Sequence, residues 1–73
     1  MNNKPTDAQL NTLYTWLSWV ILNAEARRAV KWIENNKTRQ DTSREMSRLY
    51  DLKKNHSLTR ETLFRGSFWQ DYK

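Results

Sequence analysis

Apolar residues in the first half of the chain recur at helical steps. Leu10, Leu13, Tyr14, Leu17, Val20, Ile21 and Ala24 are spaced by three or one, which on a turn of about 3.6 residues builds one continuous face. A second stripe, Trp19, Leu22, Ala26, Ala29, Val30 and Ile33, follows the same spacing on a rotated face. Asn11, Thr15, Ser18 and Glu25 mark the polar side of the first stripe. Two geometries fit: one long helix covered on two sides, or a helix that breaks near Asn23 and restarts there, since asparagine suits an N-cap. The residues from Ala24 to Ala29 are competent helix formers, so the expectation is a nearly continuous helix to about residue 35, with the break as its alternative. Residues 13–33 are too apolar for a lone surface helix. The C-terminal half, a second copy or a target must cover them.

Elsewhere the pattern is more polar. Residues 1–5 read as a disordered leader, after which Thr6 or Asp7 caps the first helix. Residues 35–41 form a polar connection. Thr42-Ser43-Arg44-Glu45 matches a capping box and predicts a helix over 42–54, with Met46, Leu49 and Tyr50 inward and Arg44, Arg48 and Asp51 outward. Asn55 is placed to close it in the left-handed conformation. Leu58 and Leu63 flank Thr59 as a hydrophobic staple would, predicting a short helix to about Arg65. A packed aromatic tail of Phe64, Phe68, Trp69 and Tyr72 follows. The fold class is therefore all-α, one domain over 6–73. It is a small three-helix bundle with a long N-terminal helix, or a four-helix bundle if that helix breaks.

Length makes coverage matter. A chain of 73 residues buries only about 60% of its unfolded surface, so its core is marginal without a staple. There is no cysteine, which excludes disulfides, thiol chemistry and a thiolate zinc site and fits a cytoplasmic protein. The apolar run falls short of the ~20 residues of a membrane span, and Arg27, Arg28 and Lys31 follow it at once. Four Trp, three Tyr and two Phe are many for this length. They serve first as core, and the surplus suggests a homodimer with Trp16, Trp19, Trp32 and Trp69 at its seam.

Catalysis has little to work with. His56 stands alone in a polar turn, and Gly66 is the only glycine, so no phosphate-cradling loop is possible. The pairs Glu25/Glu34 and Asp41/Glu45 sit beside cations, which suits charge pairing better than acid–base work. No enzyme activity, metal or cofactor is expected.

The charge is more informative. Thirteen Lys and Arg stand against eight Asp and Glu, a net +5 that attracts phosphate polymers or an acidic protein surface. Arg27, Arg28, Lys31, Asn35, Lys37 and Arg39 form a basic run opposed there only by Glu34. Helix-borne cations grip phosphates and asparagine can read an adenine edge, although a plain solvated helix face shows the same pattern. Arg44, Arg48, Lys53 and Lys54 make a second cationic set on the capped helix, where Arg44 and Arg48 could grip consecutive phosphates or pair with Asp41, Glu45 and Asp51. Trp69 and Tyr72, between Arg65 and Lys73, fit a stacking platform for single strands. Val30-Lys31-Trp32-Ile33-Glu34-Asn35-Asn36-Lys37 resembles part of a homeodomain recognition helix over eight residues, but too few residues precede it for that family's first two helices. The expected function is a small non-enzymatic regulator of bacterial or phage type that binds DNA or RNA through the basic face, as a homodimer. The alternative is an inhibitor or adaptor that docks a cationic, Trp-rich surface on a host protein.

Overall fold

In a computed structural model, which describes residues 3–72, the long apolar stretch folds as two helices rather than one. The order is α1 (Asp7–Ser18), α2 (Asn23–Asn36), α3 (Arg39–Lys54), α4 (Arg60–Leu63) and a 3₁₀ turn (Ser67–Trp69). Every regular element among the described residues is helical.

The break corrects the expected continuous helix. It falls at residues 19–22, in the most apolar part of the chain. The Val20 and Ile21 amides both donate to the Leu17 carbonyl at 2.9 Å, and Leu22 then adopts an extended backbone. Leu22 becomes the N-cap although its side chain accepts nothing, and Asn23 is the first helical residue. Local chemistry does not explain this choice; burial does. Turning here keeps Ile21 in the core and folds Ala26, Ala29 and Ile33 of α2 back against Leu10, Leu13 and Leu17. Two fully buried alanines let the helices approach closely. A straight helix would leave one of these stripes facing water.

The short connection makes α1 and α2 antiparallel neighbours. α3 returns alongside α1 in the same direction. Gln9 near the start of α1 donates to the Arg39 carbonyl at the start of α3, and Lys53 near the end of α3 lies over Trp19 just past the end of α1. Leu49, Leu63 and Trp69 close the core from below. The radius of gyration is 11.3 Å, against about 11 Å for a globule of this length. Leu13, Leu17, Ile33, Leu49 and Leu63 are buried within one copy. Of the leader, Met1 and Asn2 lie outside the described residues. Asn3 accepts from the Arg39 amide at 2.6 Å and Pro5 is buried, so this part lies against the start of α3.

Caps set the remaining boundaries. Thr6 and Gln9 form a capping box on α1. α3 starts at Arg39 because Thr38 caps it, accepting from the Asp41 amide at 3.1 Å. This overturns the expected capping box at Thr42 and Glu45: one turn inside α3, both point into the core. Thr42 Oγ1 has no hydrogen-bond partner among the described residues, at a cost of about 1–3 kcal/mol. Two further assignments on α3 change. Tyr50, expected inward, is 55% exposed, and Arg48, expected outward, is drawn in between α3 and α4.

The end of α3 differs by one residue. Ser57 donates to the Leu52 carbonyl and His56 to that of Lys53, a Schellman closure in which His56, not Asn55, takes the left-handed conformation at φ 58°. A β-carbon is strained there by about 1–2 kcal/mol. His56→Gly is therefore expected to stabilise the protein by about 1 kcal/mol, raising a thermal midpoint by about 4–8 °C. An unchanged or lower midpoint in a circular-dichroism melt would contradict this.

α4 begins as expected, with Thr59 capped reciprocally by Thr62 and with Leu58 and Leu63 at the staple positions. Beyond it the aromatic tail packs. Trp32 stacks on Trp69 at 5.6 Å, Phe64 stacks on Tyr72 at 5.5 Å, and Phe64 meets Trp69 edge-on at 5.0 Å. Each such pair adds about 0.5–1.5 kcal/mol beyond its buried area.

Candidate nucleic-acid interface

α2 is amphipathic because its small and aliphatic residues fall on one side. With Ala26, Ala29 and Ile33 buried, residues 27, 28, 31 and 35 fall within an outer arc of about 100°. Arg27, Arg28, Lys31 and Asn35 are all exposed along it. The structure thus brings together four of the expected binding residues in one row. Lys37 and Arg39 do not extend it. Lys37 folds over the Trp32 and Phe68 rings, its Nζ at 5.3 and 4.9 Å from their centroids. The backbone of Arg39 is tied to Asn3 and Gln9 at the start of α3.

The row is also electrostatically open. Among the described residues the carboxylates that form ion pairs do so elsewhere. Glu25 takes both Arg60 guanidinium nitrogens at 2.6 and 2.9 Å, Glu45 takes Arg48, and Glu61 takes Arg65 at 2.9 Å. The Arg60 hydrogen bonds hold the Glu25 carboxyl below the usual carboxylate range, outweighing partial burial; Arg28 adds a weaker pull. A depressed pKa means this link is present at neutral pH and is lost only as pH falls through the lowered value. Arg27, Arg28 and Lys31 make no hydrogen bond or ion pair among the described residues. Glu34 lies beside Arg27 and Lys31, and Glu25, held by Arg60, is close enough to Arg28 to feel its charge.

Beside the row lies a groove of about 370 Å³ between α1 and α2. Asn11 and Tyr14 of α1 line it opposite Arg27 and Lys31. These two residues were missed by reasoning from the sequence. They became neighbours of the basic row only through the break at 19–22, and reading that break as real would have found them.

No family model, curated protein or solved structure matches the chain. Among the described residues no group of three or more His, Asp or Glu side chains could hold a metal ion. No helix there is long and apolar enough to cross a membrane.

The tryptophans divide. Trp69 is buried and its Nε1 donates to Glu45 Oε2 at 2.6 Å, and Trp32 is packed within the tail cluster. Trp69 is spent in the core of one copy, and Trp32 is partly buried among the tail rings. The tail rings likewise do not form an open platform: Trp69 is core and Tyr72 lies against Phe64, Trp32 and Trp69. Trp16 is half-buried against Tyr50, and Trp19 is 55% exposed. Arg48, read as a possible phosphate contact, instead donates to Glu45 and to the Thr62 and Leu63 carbonyls, where it caps the end of α4.

Proposed function

We propose that this chain is a small non-enzymatic regulatory protein that binds nucleic acid through the outer face of α2. The observation that supports it is the row of Arg27, Arg28 and Lys31, exposed and unpaired among the described residues, while arginines elsewhere in the chain form the ion pairs. A solvated helix face usually interleaves its charges. Here Glu25 is engaged by Arg60, Glu34 is the acid beside the cations that forms no ion pair among the described residues, and Asn35 ends the row with an amide able to pair with an adenine edge. A helix of 14 residues is about 21 Å long and fits a major groove about 12 Å wide.

The cations grip phosphates and set affinity; Asn35, Asn11 and Tyr14 are the polar groups near enough to add preference for a base or a backbone shape. Salt dependence tests this. Three or four phosphate contacts on a short DNA duplex give a slope of about −3 in log affinity against log salt between ~50 and ~200 mM. Fluorescence anisotropy measures it. A flat response, or no binding to any duplex, removes the proposal.

A further inference from the structure

The flank of α1 opposite the basic row carries a second surface. Tyr14 and Trp16 are two residues apart, about 200° around the helix, so the groove against α2 and the seam against α3 face different ways. Along that seam the Trp16 ring lies 6.4 Å from Tyr50, and one turn further Lys53 Nζ lies 4.8 Å over Trp19. Trp19 and Tyr50 are each 55% exposed and Leu22 at the adjoining turn is 79% exposed. No other large hydrophobic residue among those described is so open. Two grooves punctuate the seam, one of about 350 Å³ at Trp16, Met46 and Tyr50, the other of about 280 Å³ at Trp19, Val20 and Leu58.

We propose that this α1–α3 seam docks an acidic amphipathic helix from a partner protein. Two features select that occupant. The linings of the grooves centre about two turns apart along two parallel helices, matching side chains at i and i+7 of an incoming helix. Lys53 lines the second groove and Lys54 follows it, against Asp51 alone among the carboxylates lining either groove, on a chain of net charge +5. Carboxylates on the incoming helix therefore meet two lysines that form no ion pair among the described residues. A second copy fits poorly, because an isologous pairing sets the same cationic rim against itself and the core closes within one chain. A single nucleic-acid strand fits poorly too: Met46, Val20 and Leu58 fill the spaces between the rings with aliphatic surface that stacks no base.

The test uses the whole chain and a synthetic helical peptide bearing Leu and Phe on one face and Glu on the other. A matched peptide with Lys in place of Glu is the control. Nuclear magnetic resonance is expected to show the acidic peptide shifting the indole signals of Trp16 and Trp19 but not that of buried Trp69, with the Lys peptide silent. Trp19→Ala removes a ring that is mostly in solvent, so the fold is retained, and affinity for the peptide falls at least about tenfold. Lys53→Glu serves as a second, surface-only variant with the same direction of effect. Neither variant changes binding to a DNA duplex, which separates this surface from the α2 face. Equal binding of both peptides overturns the proposal, as does silence at Trp16 and Trp19. It is also overturned if sedimentation shows the chain alone dimerising in a manner that Trp19→Ala abolishes, or if an oligothymidine shifts the same indoles.

Discussion

Glu45→Ala is expected to lower stability by about 3 kcal/mol or more, against a total of about 4–11 kcal/mol for a chain of this length. Glu45 is only 3% exposed, and three donors converge on it: Arg48 Nε at 2.9 Å, Arg48 Nη2 at 2.5 Å and Trp69 Nε1 at 2.6 Å. Removing the carboxylate leaves the Trp69 indole N–H buried without an acceptor, costing about 1–3 kcal/mol. It also leaves the Arg48 guanidinium without its counter-charge. Arg48 is 32% exposed, so water relieves part of that charge and the low end of the range for a broken buried pair applies. Arg48 in turn holds the Thr62 and Leu63 carbonyls, so the loss reaches α4 and the aromatic tail. The expected readout is a thermal midpoint lowered by more than about 12 °C, with early loss of the near-ultraviolet signal of the stacked Trp32 and Trp69. Glu45→Gln keeps an acceptor for the indole and loses less. If Glu45→Ala melts within a few degrees of the parent, the network is not what joins the tail to α3.

Arg28→Glu combined with Lys31→Glu carries the second large effect, on binding rather than folding. Each cation replaced at a phosphate removes a charge-assisted contact worth about 1.5–3 kcal/mol, so the pair weakens duplex binding by at least about a hundredfold at low salt. The slope of log affinity against log salt falls by about 2, because two fewer counterions are displaced. Both positions lie on the exposed arc of α2, away from Ala26, Ala29 and Ile33, and glutamate is as good a helix former as the residues it replaces. Helical content by circular dichroism should not change. An unaltered affinity with intact helicity would sink the assignment of this face. Reversal of Arg44, exposed on α3 beyond the row, is the matched control and leaves the slope unchanged.

What could be read in advance depends on how local each cause is. Thr6 and Thr59 were legible as caps because a hydroxyl and a backbone amide a few residues apart need nothing else. Thr42 with Glu45 satisfied the same local rule and misled. Thr38 offered an equally good cap one turn earlier, and choosing it let both turn inward, Glu45 to meet Arg48 and the Trp69 indole and Thr42 to be buried with its hydroxyl unpartnered among the described residues. Asn55 and His56 differ by one place for a similar reason: either can close a helix, and hydrogen bonds back to Leu52 and Lys53 selected His56. In the candidate interface, Arg27, Arg28, Lys31 and Asn35 were visible from spacing along one helix. Asn11 and Tyr14 were not, because they join the row from a different helix.

An all-α domain, an apolar first half, a surplus of cations and a basic arc on one helix all follow from residue types and their spacing, since each is a property of the chain within a few turns. Where α1 stops was decided only in three dimensions. Leu22 is a poor cap by any local measure, yet breaking there lets two apolar stripes share one core. That same fold settled which rings pack on one another, Trp69 buried with Trp32 stacked on it, and which are left in water, Trp19 and Tyr50. Burial is a sum over neighbours distant in sequence, and no stretch of the chain contains that sum.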